Sequence, residues 1–434
     1  MIVLRPARRF RLQSVLLSAI VLCALVWTLL AHERAPRRRV VDEAALRNQY
    51  PLAYTHIHSF EGKGGAWFIP PEWIDKHQQP PRNIVEAAQL ASKAAQSHPE
   101  RNIPFSNIPL IVHQKWNSAR LNGTRTKIVS FVEVWLRESI NPPPGTKPMA
   151  YFLWDDEGVS SLVKEFEKPF LADFEEVFSP VEKVDIFRII ACKWIGGIYG
   201  DIDTKPLQHP TKWIRPSDLA EWTDEETGKA YGLNSTALNG VQKSSKRKQP
   251  VSAIWGIECD TDPKTNAHWR LGYTYAIQLT NWALASAPKH PILQQFLDRV
   301  VERAAEARMA AQQTAGGKLS NLHFDPLTRT GPAAVTEATK AWLEEHEGLR
   351  WNAMTGLKDD GKNKLAGDVL ILPMTGFSPT QEPVSRMGEK SWDHPDARLT
   401  HVSLGSWHHT NLKVEYGKFC RTFFGMCKDW QKMW

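Results

Sequence analysis

VDIFRIIACKWIGGIYGDIDTKPL, residues 184–207, is the stretch from which the fold and the site are read. Apolar side chains recur with a helical period up to this point, which predicts a helix over residues 181–195. Gly196 and Gly197 are expected to end that helix and to let the chain turn tightly. The β-rich run from Ile198 to Ile202 is then predicted to be a short buried strand.

Two carboxylates, Asp201 and Asp203, stand at the end of this predicted strand. Alternate side chains of a strand point to opposite faces, so both acids are expected to point the same way. Neighbouring carboxylates repel each other, and a divalent cation relieves that repulsion. Asp185 and Arg188 lie three residues apart on one helix face and are expected nearby. The alternatives are solvated loop acids and an ordinary surface ion pair.

The same residues resemble the sugar-nucleotide site of glycosyltransferase family 32, the group that contains the fungal Golgi initiation-specific α-1,6-mannosyltransferases. The shared pattern is Asp-x-x-Arg followed by Gly-Gly-x-Tyr-x-Asp-x-Asp. Its members here are Asp185, Arg188, Gly196, Gly197, Tyr199, Asp201 and Asp203. The resemblance implies catalytic roles for the four charged residues of this set. It covers roughly residues 106–410.

The fold class predicted is α/β. Strand-like and helix-like segments alternate along the chain, which favours a mostly parallel sheet covered by helices on both faces. The resemblance implies a GT-A fold, which is Rossmann-like. The predicted strands are 108–113, 149–154, 198–202, 251–260 and 368–373, and the predicted helices include 84–96, 128–138, 158–168 and a helix opened by Thr330-Gly331-Pro332.

Further positions match the family where its members line the donor pocket. The resemblance implies donor binding by Gln114, Trp116, Gly197, Tyr199, Glu258, Asp260, Gly331, Ser406 and Trp407. The chain departs from the family at Asn281 and Lys289, where glutamine and glycine are usual. Carry-over of function is weaker around those two positions.

His401 opens a second motif, His-Val-Ser-Leu-Gly-Ser-Trp, which resembles the segment that closes over the metal and diphosphate in the family. Imidazole can complete a coordination sphere begun by carboxylates. The expected metal ligands are therefore Asp201, Asp203 and His401. Ser406, His408 and His409 remain alternatives for the third position, and an ordinary histidine in a C-terminal turn is the non-functional alternative.

The N-terminal 40 residues predict a membrane anchor. Leu12 to Ala31 is almost wholly apolar and long enough to span a bilayer, and arginines flank it on both sides. A cleaved signal peptide is the alternative. The predicted organisation is a cytoplasmic tail (1–11), a transmembrane signal anchor (12–31), a stem (32–105), a catalytic domain (106–410) and a C-terminal tail (411–434).

Composition agrees with a large folded enzyme. The chain has 434 residues, 42% of them hydrophobic, and 18 tryptophans, which predicts a substantial core. Its net charge of +7 is concentrated around the apolar N-terminal run, and no nucleic-acid-binding motif is present. Cys420 and Cys427 could pair in an oxidising compartment. Asn122 and Asn234 head N-glycosylation sequons, which suit a lumenal domain.

The resemblance implies a complete function. It is Mn²⁺-dependent, retaining transfer of mannose from GDP-mannose, in α-1,6 linkage, to N-linked glycans of glycoproteins at the Golgi membrane, in complexes with other mannosyltransferases. Donor identity rests on family analogy alone. The alternatives are a UDP-sugar donor, a sphingolipid acceptor, a metal-dependent hydrolase, and an inactive lectin-like anchor protein.

Overall fold

The computed structural model describes residues 43–118, 121, 126–233, 251–265, 267–313, 324–381, 387–403 and 412–428. Its α-helices are α1 Glu43–Gln49, α2 Pro51–Ala53, α3 Ile84–Gln96, α4 Thr126–Ile140, α5 Asp156–Phe166, α6 Leu171–Glu176, α7 Pro180–Trp194, α8 Ala267–Arg270, α9 Pro291–Gln312, α10 Pro326–Arg329, α11 Pro332–Glu347, α12 Met374–Phe377 and α13 Leu412–Phe419. Its strands are β1 Gly65–Phe68, β2 Ile111–Lys115, β3 Ala150–Trp154, β4 Gly197–Gly200, β5 Thr204–Pro206, β6 Trp222–Thr223, β7 Ala230–Tyr231, β8 Ala253–Asp260, β9 Ile277–Ser286, β10 Lys364–Ala366, β11 Val369–Leu372 and β12 Leu399–His401.

An eight-stranded sheet forms the centre of the molecule, in the order β1-β3-β2-β4-β9-β8-β11-β10. Strand β2 pairs in parallel with β3 on one side and with β4 on the other, and β8 pairs in parallel with β11. The remaining neighbours are antiparallel, namely β1 with β3, β4 with β9, β9 with β8, and β11 with β10. The central strands are buried, and their side chains belong to one continuous hydrophobic core.

The predicted fold class is wrong in its description of the sheet, which is mixed rather than mostly parallel. The reason is β9, a ten-residue buried strand that runs antiparallel between β4 and β8. A parallel return would need a crossover connection, usually a helix. Among its described residues, the connection from β8 to β9 contains only the four-residue helix α8, and β9 pairs antiparallel with both β8 and β4.

The predicted membrane-spanning helix is the second correction. Over the part of the chain that the structure describes, none of the helices has the length and apolar character needed to cross a bilayer. The segment for which the span was predicted, residues 12–31, lies outside the described residues. Within the segment predicted as a stem, β1 adds an edge strand to the central sheet through its pairing with β3.

Helix α7 and strand β4 meet as the sequence predicts. Ser179 and Glu182 form a reciprocal capping box at the start of α7. The helix is followed by Gly196 at φ +77° and Gly197 at φ +108°. Residues other than glycine rarely adopt such backbone angles. A Cβ atom on Gly197 would stand 2.4 Å from the carbonyl oxygen of Ile111 on the neighbouring strand. The close approach of α7, β4 and β2 therefore depends on these glycines.

The strand predicted up to Ile202 is shorter than expected, so strand alternation does not apply to Asp201 and Asp203. Strand β4 ends at Gly200, and Asp201 to Asp203 form the turn that leads into β5. The amide of Thr204 donates to the carbonyl of Asp201 at 2.9 Å, which closes this turn. The turn, rather than strand alternation, sets the direction of the two carboxylates.

We predict that Gly197→Ala lowers the free energy of unfolding by about 3 kcal/mol or more, because left-handed strain and a backbone clash add together. Gly272→Ala is the matched control, since Gly272 also has a positive φ, +95°, but a Cβ atom there meets no heavy atom within 4 Å. Its cost should be about 1–2 kcal/mol, from strain alone. Urea unfolding of both variants measures the difference, and equal losses would contradict the packing described here.

Candidate active site

A cavity of about 750 Å³ opens at the carboxyl ends of β2, β4, β8 and β11. This size suits a ligand of the dimensions of a small organic molecule or cofactor. In open α/β sheets, ligands bind outside the carboxyl ends of the strands. The cavity lining includes the charged side chains Lys115, Asp185, Arg188, Asp201, Asp203, Glu258, Glu389 and His401.

The backbone of Asp201 is fixed on both sides by buried groups. Its amide donates to the carbonyl oxygen of Trp282 on β9 at 2.8 Å, which extends the β4–β9 pairing by one residue. Its carbonyl accepts from Nε2 of Gln114 at 3.0 Å. The hydroxyl of Tyr151 in turn donates to Oε1 of Gln114 at 2.7 Å. Gln114 therefore acts on the site through the backbone of Asp201.

A two-stranded ribbon brings His401 to Asp203. In the β5–β12 pairing, His401 lies opposite Thr204, the residue after Asp203. The amide of Val402 donates to the carbonyl of Asp203 at 3.1 Å. Nε2 of His401 lies 3.1 Å from Oδ1 of Asp203, and the imidazole stacks on Trp282 with ring centroids 4.6 Å apart. The two residues are thus held together by backbone and side chain alike.

Neighbouring acidic residues raise the pKa of His401. Burial alone would lower the pKa of its imidazole, but the hydrogen bond and the charge of Asp203, followed by the charges of Asp201 and Glu258, raise that pKa overall. Three acids therefore act on one imidazole.

The side chains of Asp201, Asp203 and His401, called the metal corner below, offer ligand atoms that suit a divalent cation. One ligand atom each from Asp201, Asp203 and His401 lies within 4.8 Å of the other two. Carboxylate oxygens are preferred by hard cations, and imidazole is acceptable to first-row transition metals. The predicted ligand set is therefore brought together, and its chemistry fits a metal.

Arg188 links the helix to the acidic turn. Its side chain is 5% exposed, and Nη2 lies 3.2 Å from Oδ1 of Asp185 and 3.2 Å from Oδ1 of Asp201. Nη1 donates to the carbonyl of Asn281 at 2.5 Å. The guanidinium also lies over the ring of Tyr199, 5.0 Å from its centroid. Although burial opposes the charged form, the neighbouring Asp201, Tyr199 and Asp185 raise the pKa of Arg188, so it stays a cation.

Asp185 is almost fully enclosed by hydrogen-bond donors. Nδ2 of Asn281 donates to its Oδ1 at 2.9 Å, and the hydroxyl of Thr330 donates to its Oδ2 at 2.8 Å. Burial raises the pKa of Asp185 to about 7, against the opposing effects of Arg188 and Thr330. The direction of this carboxyl group is set before any ligand arrives.

The other predicted site residues fall into three groups. Trp116, Tyr199, Glu258 and Gly331 line the cavity. Gln114, Gly197 and Asp260 do not belong to its lining; Asp260 accepts from Thr355 and from the amide of Gly356 at 2.8 and 2.7 Å. The positions outside the described residues are Ser406, Trp407, His408, His409 and the sequon asparagines Asn122 and Asn234.

Sequence analysis did not single out Tyr273 and Glu389, although both line the cavity. They come from loops after β8 and after α12, and no motif or periodicity marks them. Burial raises the pKa of their neighbour Glu258 to about 7, and Nε2 of Gln278 donates to Oε1 of Glu258 at 2.9 Å.

A known protein family matches the part of the chain that contains the acidic turn. Residues 132–220 match the family model described as "Glycosyltransferase sugar-binding region containing DXD motif". That interval contains Asp185, Arg188, Asp201 and Asp203. The match shows a glycosyltransferase sugar-binding region in this part of the chain.

Several fungal proteins resemble this chain. The initiation-specific α-1,6-mannosyltransferase of Schizosaccharomyces pombe is 29% identical over 71% of this chain and 66% of the relative. The protein of the same name from Candida albicans is 25% identical over 52% and 53%, respectively. The putative glycosyltransferase HOC1 of Saccharomyces cerevisiae is 23% identical over 79% and 75%. The chain spans about two thirds of the first relative and about half of the second, and the resemblance predicted from the sequence is confirmed.

We predict that Thr330→Val lowers kcat/KM about tenfold or more, because it removes a buried hydrogen bond to a carboxyl group without changing the side-chain volume. Thr330→Ser, which keeps the hydroxyl, should restore most of the activity. Nucleotide release from the sugar donor measures both.

Thr339→Val is the matched control for this test. Thr339 is also buried, and its hydroxyl has no hydrogen-bond partner among the described residues. Its replacement should leave kcat/KM within about twofold, since no bond is lost. Equal activities of Thr330→Val and Thr339→Val would show that the hydroxyl of Thr330 does not position Asp185.

Proposed function

We propose that this protein is a glycosyltransferase that transfers mannose from GDP-mannose to N-linked glycans of glycoproteins, with Mn²⁺ and with retention of configuration. An α-1,6 linkage of the outer-chain initiation type is part of the proposal. The names of the fungal relatives support the sugar and the linkage. The observation that carries the chemistry is the joint presence of Asp201, Asp203, His401 and Arg188 at one end of the cavity.

In the transition state, positive charge develops on the sugar and negative charge develops on the leaving diphosphate. The bond between the sugar C1 and the diphosphate oxygen breaks, and its electron pair leaves with the nucleoside diphosphate. A bond forms between C1 and the acceptor hydroxyl oxygen, and the hydroxyl proton passes to an oxygen of the leaving diphosphate. Preorganised charges aimed at such developing charge are the largest common contribution to catalysis. The site requires groups that stabilise the leaving diphosphate and orient the sugar.

Asp201, Asp203 and His401 would hold the cation. When bound, a divalent cation supplies Lewis-acid neutralisation of the leaving diphosphate. Arg188 adds a permanent positive charge from the protein, and it lies beside Asp201. We propose that Arg188 and Asp185 bind the donor sugar, and that Trp116, Tyr199 and Gly331 contact the donor.

Location in the Golgi lumen is part of the proposal. Cys420 and Cys427 form a disulfide, with a Cα–Cα distance of 6.0 Å. Disulfides persist in oxidising compartments and are rare in the cytosol. This bond supports a lumenal catalytic domain.

We predict that Asp203→Asn abolishes Mn²⁺-dependent turnover, lowering it by at least about a hundredfold, because loss of a ligand weakens the metal site. The full chain is incubated with GDP-mannose, UDP-glucose, UDP-galactose and UDP-N-acetylglucosamine, each with Mn²⁺ or chelator, with and without a high-mannose N-glycan. Release of GDP that depends on Mn²⁺ and increases with the glycan is expected. Thermal unfolding checks that the variant folds.

Asp393→Asn is the control for this test, since Asp393 lies outside the cavity lining. Release from a UDP-sugar would overturn the mannosyl assignment and keep the glycosyltransferase. Unchanged turnover of Asp203→Asn would remove Asp203 from the site.

A further inference from the structure

The cavity has two sides that the sheet order separates. From β2 to β11 the order runs β2-β4-β9-β8-β11. These four steps of about 4.8 Å place the ends of β2 and β11 about 19 Å apart. Trp116 and Lys115 stand at the β2 end, and the acidic turn follows β4. The residues beyond β9 therefore form a separate side. Among the described lining residues that were predicted to bind the donor, Glu258 alone belongs to it.

We call this side the β8–β11 wall; it consists of Glu258, Tyr273, Met374, Ser378, Thr380 and Glu389. Glu389 is 7% exposed, and its Oε2 accepts from the amide of Met387 at 3.0 Å. The next residue holds the loop against α12, because the amide of Lys390 donates to the hydroxyl of Thr375 at 3.1 Å. Glu389 is therefore fixed at the β11 side of the cavity.

Tyr273 lines the cavity together with the two acids of the wall. Burial, then the charge of Glu258, and further on the charge of Glu389, raise the pKa of the Tyr273 phenol. Glu258 and Glu389 line the same cavity as Asp201, Asp203 and His401. The wall and the predicted metal ligands therefore face one enclosed space.

The wall has a marked chemical character. Its polar side chains are carboxyl groups and hydroxyls, and among the described lining residues on this side there is no lysine or arginine. A carboxylate accepts hydrogen bonds and donates none when ionised. Such a surface suits a ligand rich in hydroxyl donors, and it repels an anion.

We propose that the β8–β11 wall is the acceptor subsite and that it selects an uncharged, hydroxyl-rich oligosaccharide over one that carries a phosphate near the accepting hydroxyl. This inference rests on the transferase function proposed above and adds the charge class of the acceptor. Glu389 supplies the discriminating charge, and Glu258 and Tyr273 contact the sugar nearest the reacting centre.

Binding, rather than turnover, tests this inference. The full chain, with Mn²⁺ and GDP present, is titrated calorimetrically with an α-linked mannotetraose and with the same oligosaccharide bearing a 6-phosphate. The wild type should bind the neutral sugar about tenfold more tightly, the ratio for like charges roughly 12 Å apart at an effective dielectric constant near 20. Glu389→Gln keeps the acceptor atom for Met387 and should reduce this ratio to about threefold or less.

Two further variants make the result specific. At pH 8, above the pKa of about 7 that burial gives Glu258, Glu258→Gln should also reduce the ratio, and it serves if Glu389→Gln fails to fold. Glu344→Gln is the control, because Glu344 lies on α11 outside the cavity lining, 3.7 Å from Lys340, and it should leave the ratio unchanged.

Equal binding of the two sugars by the wild type, an unchanged ratio in both wall variants, or binding of neither sugar would overturn the acceptor subsite. Failure of GDP-mannose turnover with the binding ratio intact would count against the proposed donor alone.

Discussion

The site depends on one buried cation, the guanidinium of Arg188. It lies between Asp185 on helix α7 and Asp201 in the turn after β4, 3.2 Å from each carboxylate. Burying an ion pair costs desolvation, and removing one partner leaves an uncompensated charge, which is strongly destabilising. Asn281 and Thr330 offset part of this cost through hydrogen bonds to Arg188 and Asp185, and the ring of Tyr199 packs against the guanidinium. Catalytic geometry and local stability share the same groups.

Strand pairing carries this constraint across the molecule. The register of β4 with β9 places Trp282 against the backbone of Asp201, and the register of β5 with β12 places His401 beside Asp203. Trp282 then stacks on His401, so the two registers meet at one point. A slip of one residue in either pairing would turn these side chains to the opposite face. The metal corner is thus held by two independent pieces of sheet.

Local patterns predicted the helix, the double-glycine turn and the residues of the acidic corner, because periodicity and glycine chemistry act over a few residues. They did not predict the antiparallel course of β9, whose connection from β8 carries only a four-residue helix among its described residues. Nor could they place Tyr273 and Glu389, since loops distant in sequence bring them to the cavity. Gln114 was predicted as a donor contact, yet its amide serves the backbone of Asp201. Such roles arise from tertiary packing.

The central claim is that Asp201, Asp203 and His401 form one site that a divalent cation and a nucleoside diphosphate occupy together. The most direct measurement is a titration of the full chain with Mn²⁺, followed by electron paramagnetic resonance, with and without saturating GDP. By linkage, two ligands that share a site must change each other's affinity by the same factor. We expect GDP to tighten Mn²⁺ binding by about tenfold or more, and Mn²⁺ to tighten GDP binding equally. Independent binding of the two would contradict the account.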